Sequence, residues 1–207
     1  MTLDLAVIGV TFLLLLPAEL PDKTFIATLV LASRYPRWAV WFGVVAAFAV
    51  QCAIAVTAGG LLALLPARIT LGITFVLFSA GAILMLVSGL RARPTAAEQE
   101  EAEEVEERAD QLTSTSSWRI ALLSFAILFT AEWGDLSQLL TAGMAARTGA
   151  PLSVFVGAWA ALALIAGLAV LLGGWLHKRV PLWRVRIVSG IVLLALAGWT
   201  AVEFIRA

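Results

Sequence analysis

"PAELPDKTFIAT", Pro17 to Thr28, puts a Glu, an Asp and a Lys inside a run that otherwise reads as a membrane span. A carboxylate at the centre of a spanning helix opposes insertion by about 2.5–3.5 kcal/mol. A second stretch, "TAEWGDLSQLLT" at Thr130 to Thr141, repeats the pattern. Aligning Glu19 with Glu132 brings Ala18 onto Ala131, Asp22 onto Asp135, Thr24 onto Ser137, Thr28 onto Thr141 and Arg34 onto Arg147. One residue further in register, Gly43 meets Gly157 and the pair Gly59–Gly60 meets Gly173–Gly174. The chain is a duplicated half, and each copy carries its own acidic stretch.

The surroundings of both stretches are apolar. The chain has 207 residues and is 61% hydrophobic, with a mean hydropathy of +0.97; soluble domains average about 45–50% apolar. A span needs about 20 apolar residues, and six candidates recur: Leu3–Ala32, Ala39–Leu65, Ile69–Leu90, Arg119–Ala146, Leu152–Leu176 and Trp183–Ile205. The opening run lacks a basic leader and an A-x-A cleavage site, so it reads as a first span rather than a signal peptide. The expected fold is an all-α integral membrane protein with six transmembrane helices. Residues 1–90 form the first three-helix repeat, 91–118 an acidic linker and 119–207 the second repeat. Three spans per half force the second half into the membrane upside down. Inverted-topology repeats are typical of secondary transporters, with the site at the repeat interface near the midplane.

Orientation follows from the basic residues. Arg34, Arg37, Arg91, Arg93, Arg108, Arg119, Lys178, Arg179, Arg184 and Arg186 fall on one side, and Arg68, Arg147 and Arg206 on the other. The positive-inside rule puts the first set in the cytoplasm, in a cell membrane, with both termini outside. Trp38, Trp41, Trp118, Trp175 and Trp183 lie near predicted span ends, as an interfacial belt requires. The linker "EQEEAEEVEERAD" gathers most of the acids; it reads as a solvated connection before it reads as a cation sensor. Cys52, the one cysteine, offers no disulfide and reads as packing. No basic stripe points to nucleic acid. No nucleophile–base pair or nucleotide motif points to an enzyme.

Glu19, Asp22, Glu132 and Asp135 together would oppose insertion by on the order of 10 kcal/mol if left unpaired. Within each stretch the i,i+3 spacing puts both acids on one helix face. Two such faces meeting at the repeat interface bring four carboxylates to one point. A salt-bridge network is a poor alternative, because Lys23 is the one base among them. Like charges crowded in a dry site do not all stay ionised, so some acids hold protons when the site is empty. A divalent cation would displace them, and the carrier would exchange one for the other. Pro17 and Pro21 lack an N–H and free helix carbonyls, which is tolerated where backbone lines a cavity. Gly134 stands where Pro21 does and permits a similar break. Thr24 and Ser137 add hydroxyl oxygens. Gln138 is a further neutral oxygen donor, and Gln51 reads equally as ligand or as helix–helix glue. Lys23 reads as a counter-ion before a substrate contact, and Pro17 equally as a kink. All these donors are hard oxygens, which suit magnesium, calcium or manganese rather than copper or zinc.

At these residues the chain resembles the Gdt-type cation exchangers, which carry E-x-G-D-[KR]-[ST] once per half. The resemblance covers essentially the whole chain. It implies exchange of calcium or manganese for protons, with bacterial members exporting manganese. It assigns Glu19, Asp22, Lys23 and Thr24 to the first motif and Glu132, Gly134, Asp135 and Ser137 to the second. Two positions depart: Pro21 replaces the Gly, and Leu136 replaces the base.

The expected function is therefore a secondary transporter, not an enzyme, exchanging manganese or calcium for protons and exporting the metal from the cytoplasm. Export of small cationic organic solutes such as amino acids is the alternative. The expected partners are the cation, protons, membrane lipid and a second copy in a homo-oligomer, with no permanently bound cofactor.

Overall fold

The computed structural model describes residues 3–19, 23–91, 116–179 and 182–206, without side chains at 23, 67, 88, 172–179, 182–186, 188 and 189. Within them the chain is helical: α1 Leu5–Glu19, α2 Lys23–Arg34, α3 Arg37–Leu62, α4 Ala67–Arg91, α5 Ser117–Ala131, α6 Leu136–Thr148, α7 Pro151–Arg179 and α8 Leu182–Arg206. Among the described residues three helices are long and apolar enough to cross a membrane, or five spans if each bent pair counts as one. The expectation of six continuous stretches is thus refined. The first and fourth are each two helices, α1–α2 bent by 73° and α5–α6 by 75°. The acidic linker lies almost wholly outside the described residues.

Local chemistry places the breaks. Pro17 sits inside α1, which runs on to Glu19. In the second half Gly134 adopts φ +80°, a conformation glycine takes without steric cost. Asp135 then caps α6 by accepting from the Ser137 N–H, as a helix N-terminus requires. Gly149, at φ 63°, ends α6, and Pro151 begins α7.

Contacts between halves set the relative directions. The Trp41 indole donates to the Ala163 carbonyl (3.2 Å) and that of Trp159 to the Val45 carbonyl (3.0 Å). Advancing along α3 therefore means retreating along α7, so the two are antiparallel. Gly43 lies on Ala121 and Ser124, and Gln51 reaches Phe129, so α3 and α5 are parallel. Gly157 lies on Ile8 and Thr11, and Ser153 accepts from the Asp4 N–H, so α1 and α7 are parallel. Hence α1 and α5 point in opposite directions, and the repeats are inverted. Gly43 and Gly157 make the same close approach in each half, against matched residues. A small residue at a crossing lets backbones meet where lipid supplies no hydrophobic drive.

The packing follows a pseudo-twofold. α1 lies on α7 as α5 lies on α3; α2 lies on α7 as α6 lies on α3; α1 meets α6 as α5 meets α2. On the axis α3 crosses α7, and α4 pairs with α8, antiparallel, with Gly72 near Phe204 and Gly190 near Leu86. This arrangement sorts Arg34, Arg37, Arg91 and Arg119 to one end of the bundle and Arg68, Arg147 and Arg206 to the other, as the sequence predicts. Trp38 and Trp118 are exposed at helix ends. Cys52 is buried in the core.

Candidate cation site

The two breaks meet at the centre of this arrangement. Glu19 ends α1, Glu132 follows α5 and Asp135 opens α6. The bends thus deliver three carboxylates from opposite directions to one place. One oxygen from each lies within 4.8 Å of the others. Glu19 is 2% exposed and Glu132 1%, while Asp135 is half-buried. Carboxylates crowded like this out of water are costly unless a cation or protons balance them.

Thr24 joins the halves. Its Oγ1 donates to Glu132 Oε1 at 2.5 Å and lies 3.5 Å from Glu19 Oε2. A hydroxyl has one proton, and the distances assign it to Glu132. A first-half hydroxyl is therefore spent on a second-half acid. Ser137 is buried; its N–H reaches Asp135 Oδ2 at 3.4 Å, and its carbonyl accepts from Thr141 Oγ1 at 2.7 Å.

The two glutamines hold the second break. Gln138 Nε2 donates to the Glu132 carbonyl at 3.0 Å, and its Oε1 accepts the Gly134 N–H at 3.1 Å. Both ends of that amide are committed to backbone. Gln51, from α3, donates through Nε2 to the Phe129 carbonyl at 3.1 Å. Pro17 is half-buried in α1, two residues before Glu19. Asp22, Pro21 and the Lys23 side chain, named from the sequence, lie outside the described residues. The Phe129 carbonyl was not named from the sequence, because a backbone acceptor carries no residue signature; the one available signal was a Gln in an apolar helix.

The cluster suits a hard cation: three carboxylate groups with a hydroxyl beside them and no imidazole. Trp133, between Glu132 and Gly134, is 63% exposed and meets Phe129 edge-on at 5.2 Å.

Comparison with known proteins agrees with this geometry. The model of the divalent cation/proton antiporter GDT1 family matches twice, over residues 7–93 and 120–206. The GDT1-like protein sll0615 of Synechocystis sp. is 33% identical over 90% of this chain and 93% of its own. The GDT1-like protein 4 of Oryza sativa subsp. indica is 29% identical over 87% of this chain and 68% of its own. The PAM71-homolog, chloroplastic, of Arabidopsis thaliana is 29% identical over 91% of this chain, which spans 57% of that protein. No solved structure matches. The family's substrates are divalent cations and protons, which leaves export of organic solutes without support. Two matched repeats, one per inverted half, make this chain a member of the GDT1 family of divalent cation/proton antiporters, membrane transporters rather than enzymes.

Proposed function

We propose that the chain exchanges manganese, or secondarily calcium, for protons, and that it exports the metal from the cytoplasm across the cell membrane. The observation that carries this reading is the convergence of Glu19, Glu132 and Asp135 from two inverted repeats within 4.8 Å. A cation of about 2.2–2.5 Å metal–oxygen distance bridges such a set. The described side chains offer few oxygens, and Thr24 is one of them. A short donor set completed by water fits an octahedral ion of manganese type better than a cage of seven or eight ligands.

Asp22 and Ser137 complete the donor set in this reading. Lys23 balances part of the negative charge, and Pro17 relaxes the helix so that its carbonyls can turn to the ion. When the cation leaves, protons take its place on the same carboxylates, and this competition is the coupling. The site needs no resident cofactor. Its three converging carboxylates come from one chain, so this reading does not call on a second copy to supply them. The basic end of the bundle, with the acidic linker, faces the cytoplasm.

Purified protein in vesicles tests the reading. Manganese and calcium, with magnesium for comparison, are each offered against a pH gradient. Manganese or calcium flux should rise with an opposing proton gradient and carry protons the other way. Flux indifferent to the gradient refutes the coupling.

A further inference from the structure

The two bends are alike in angle, 73° and 75°, but the side chains packed beside them differ. In the second, the Glu132 N–H turns to the Leu128 carbonyl and the Trp133 N–H to that of Thr130. This skips the Phe129 carbonyl, which Gln51 takes from across the repeat interface at 3.1 Å. Gln51 is 3% exposed. Gln138 pins the other side of the same turn, at Glu132 and Gly134.

In the register that aligns Glu19 with Glu132, Phe129 corresponds to Leu16 and Gln138 to Phe25. In the register that aligns Gly43 with Gly157, Gln51 corresponds to Ile165. Those three counterparts are also together: Phe25 and Ile165 form a small buried cluster with Ala169, and Leu16 and Leu168 pack against it. So one constellation exists in two chemistries. In one half two amides tie the break by hydrogen bonds; in the other, apolar side chains fill the same space and offer no donor.

We infer that Gln51 is a positioning residue for transport: it fixes the last turn of α5, and through it Glu132, so that the second half presents a rigid carboxylate to the ion. The role proposed is carried by Nε2, which is turned to the Phe129 carbonyl, and not by ligation. At the matched positions of the first half, Leu16, Phe25 and Ile165, the contacts are apolar and non-directional. This inference rests on the proposed cation exchange at Glu19, Glu132 and Asp135.

The test compares wild type with Gln51→Leu, Gln51→Asn and Gln51→His in proteoliposomes, following manganese uptake. Melting in detergent is measured with and without manganese. Leu removes the donor at similar volume, and Asn falls one methylene short of the carbonyl while staying polar. Each should raise KM about five- to tenfold, the scale of one lost buried hydrogen bond, with kcat within about twofold. Each should lower the Tm of the ion-free protein modestly, because the Phe129 carbonyl is left without its donor, and should in addition shrink the manganese-induced rise in Tm. His, whose Nε2–H reaches about as far as the amide, should restore KM. Should Leu not fold, Asn carries the same expectation. Equal KM in wild type, Leu and Asn overturns the role of Gln51 alone. Wild type that takes up no manganese or calcium overturns the exchange reading, and this inference with it.

Discussion

Replacing Thr24 with Val tests the join between the halves. Valine keeps the branched shape in a position that is 2% exposed, so packing changes little. What is lost is the hydroxyl that donates to Glu132 Oε1 at 2.5 Å. A hydrogen bond to a charged group contributes about 1.5–3 kcal/mol. Without it the ionised form of Glu132 is less favoured in the empty site, and the bound cation loses a neighbouring oxygen. Both effects weaken the cation against its competing protons. At about 1.4 kcal/mol per tenfold, KM for manganese should rise by about 10- to 100-fold. Thr24→Ser keeps the hydroxyl and should stay near wild type. The assay is initial uptake into proteoliposomes over a range of manganese concentrations at two pH values. Because protons compete for the same oxygens, the gap between Val and wild type should narrow as pH rises. Thr24→Val within twofold of wild type at both pH values would refute the reasoning. So would Thr24→Ser falling as far as Val, because the methyl contact rather than the hydroxyl would then matter.

Glu19→Gln and Asp135→Asn should each abolish exchange while the protein still inserts and elutes as wild type, which size-exclusion chromatography after extraction checks. Gly43→Ala and Gly157→Ala should both destabilise, since a Cβ at either would press on the backbone carbonyl of Ala121 or Ile8; Gly60→Ala, with nothing within 4 Å, should raise Tm slightly or leave it unchanged. Gly134→Ala meets no neighbour within 4 Å but needs φ +80°, so its cost is backbone strain of about 1–2 kcal/mol, read as a lower Tm and partly relieved in Gly134→Asn. The Arg147–Glu203 ion pair (3.1 Å) is 20% and 40% exposed at its two side chains, so Glu203→Gln should cost at most about 1 kcal/mol of stability, read as a small change in Tm.

The acidic stretches made much of this legible. Four carboxylates in apolar runs demand a shared interior, and their matched registers demand an inverted pair of halves. Gly134 was readable too, because it is the residue that takes a positive φ without cost, and it stands opposite Pro21. In the first half the sequence offers two prolines, and the bend falls in the gap between Glu19 and Thr24 that holds Pro21, not at Pro17. Pro17 lowers the barrier to a break, but α1 continues through it to Glu19, since a proline inside a helix costs one hydrogen bond without ending the helix outright. Gln51 was ambiguous for a different reason. A buried amide serves as ligand or as brace depending on whether a free carbonyl lies within reach, and the carbonyl of Phe129, three positions before the motif's Glu132, is freed by the turn at 132–134. The apolar counterpart, Leu16 with Phe25 and Ile165, looks in sequence like ordinary core.

Exchange requires the site to open to one side at a time, and an inverted repeat supplies both arrangements from one set of contacts. The structure holds one arrangement, visible where its pseudo-twofold fails. α8 packs on α1 and α4 on α6, while among the described residues no comparable packing joins α4 to α5. Arg147 on α6 adds side-chain ties to Thr200 and Glu203 on α8, with its guanidinium over the Trp199 ring. Its counterpart in the first half is Arg34, and the α4 residue matched to Glu203 is Leu90. One end of the bundle is thus tied by the Arg147–Glu203 ion pair. Asp135 and Arg147 both sit on α6, one at each end. α6 thus runs from a carboxylate of the site at one end to this ion pair at the other. The symmetry of the backbone lets the molecule reverse, and the helix pairs that lack a comparable mate among the described residues, α1 with α8 and α4 with α6, mark which of the two arrangements the structure holds.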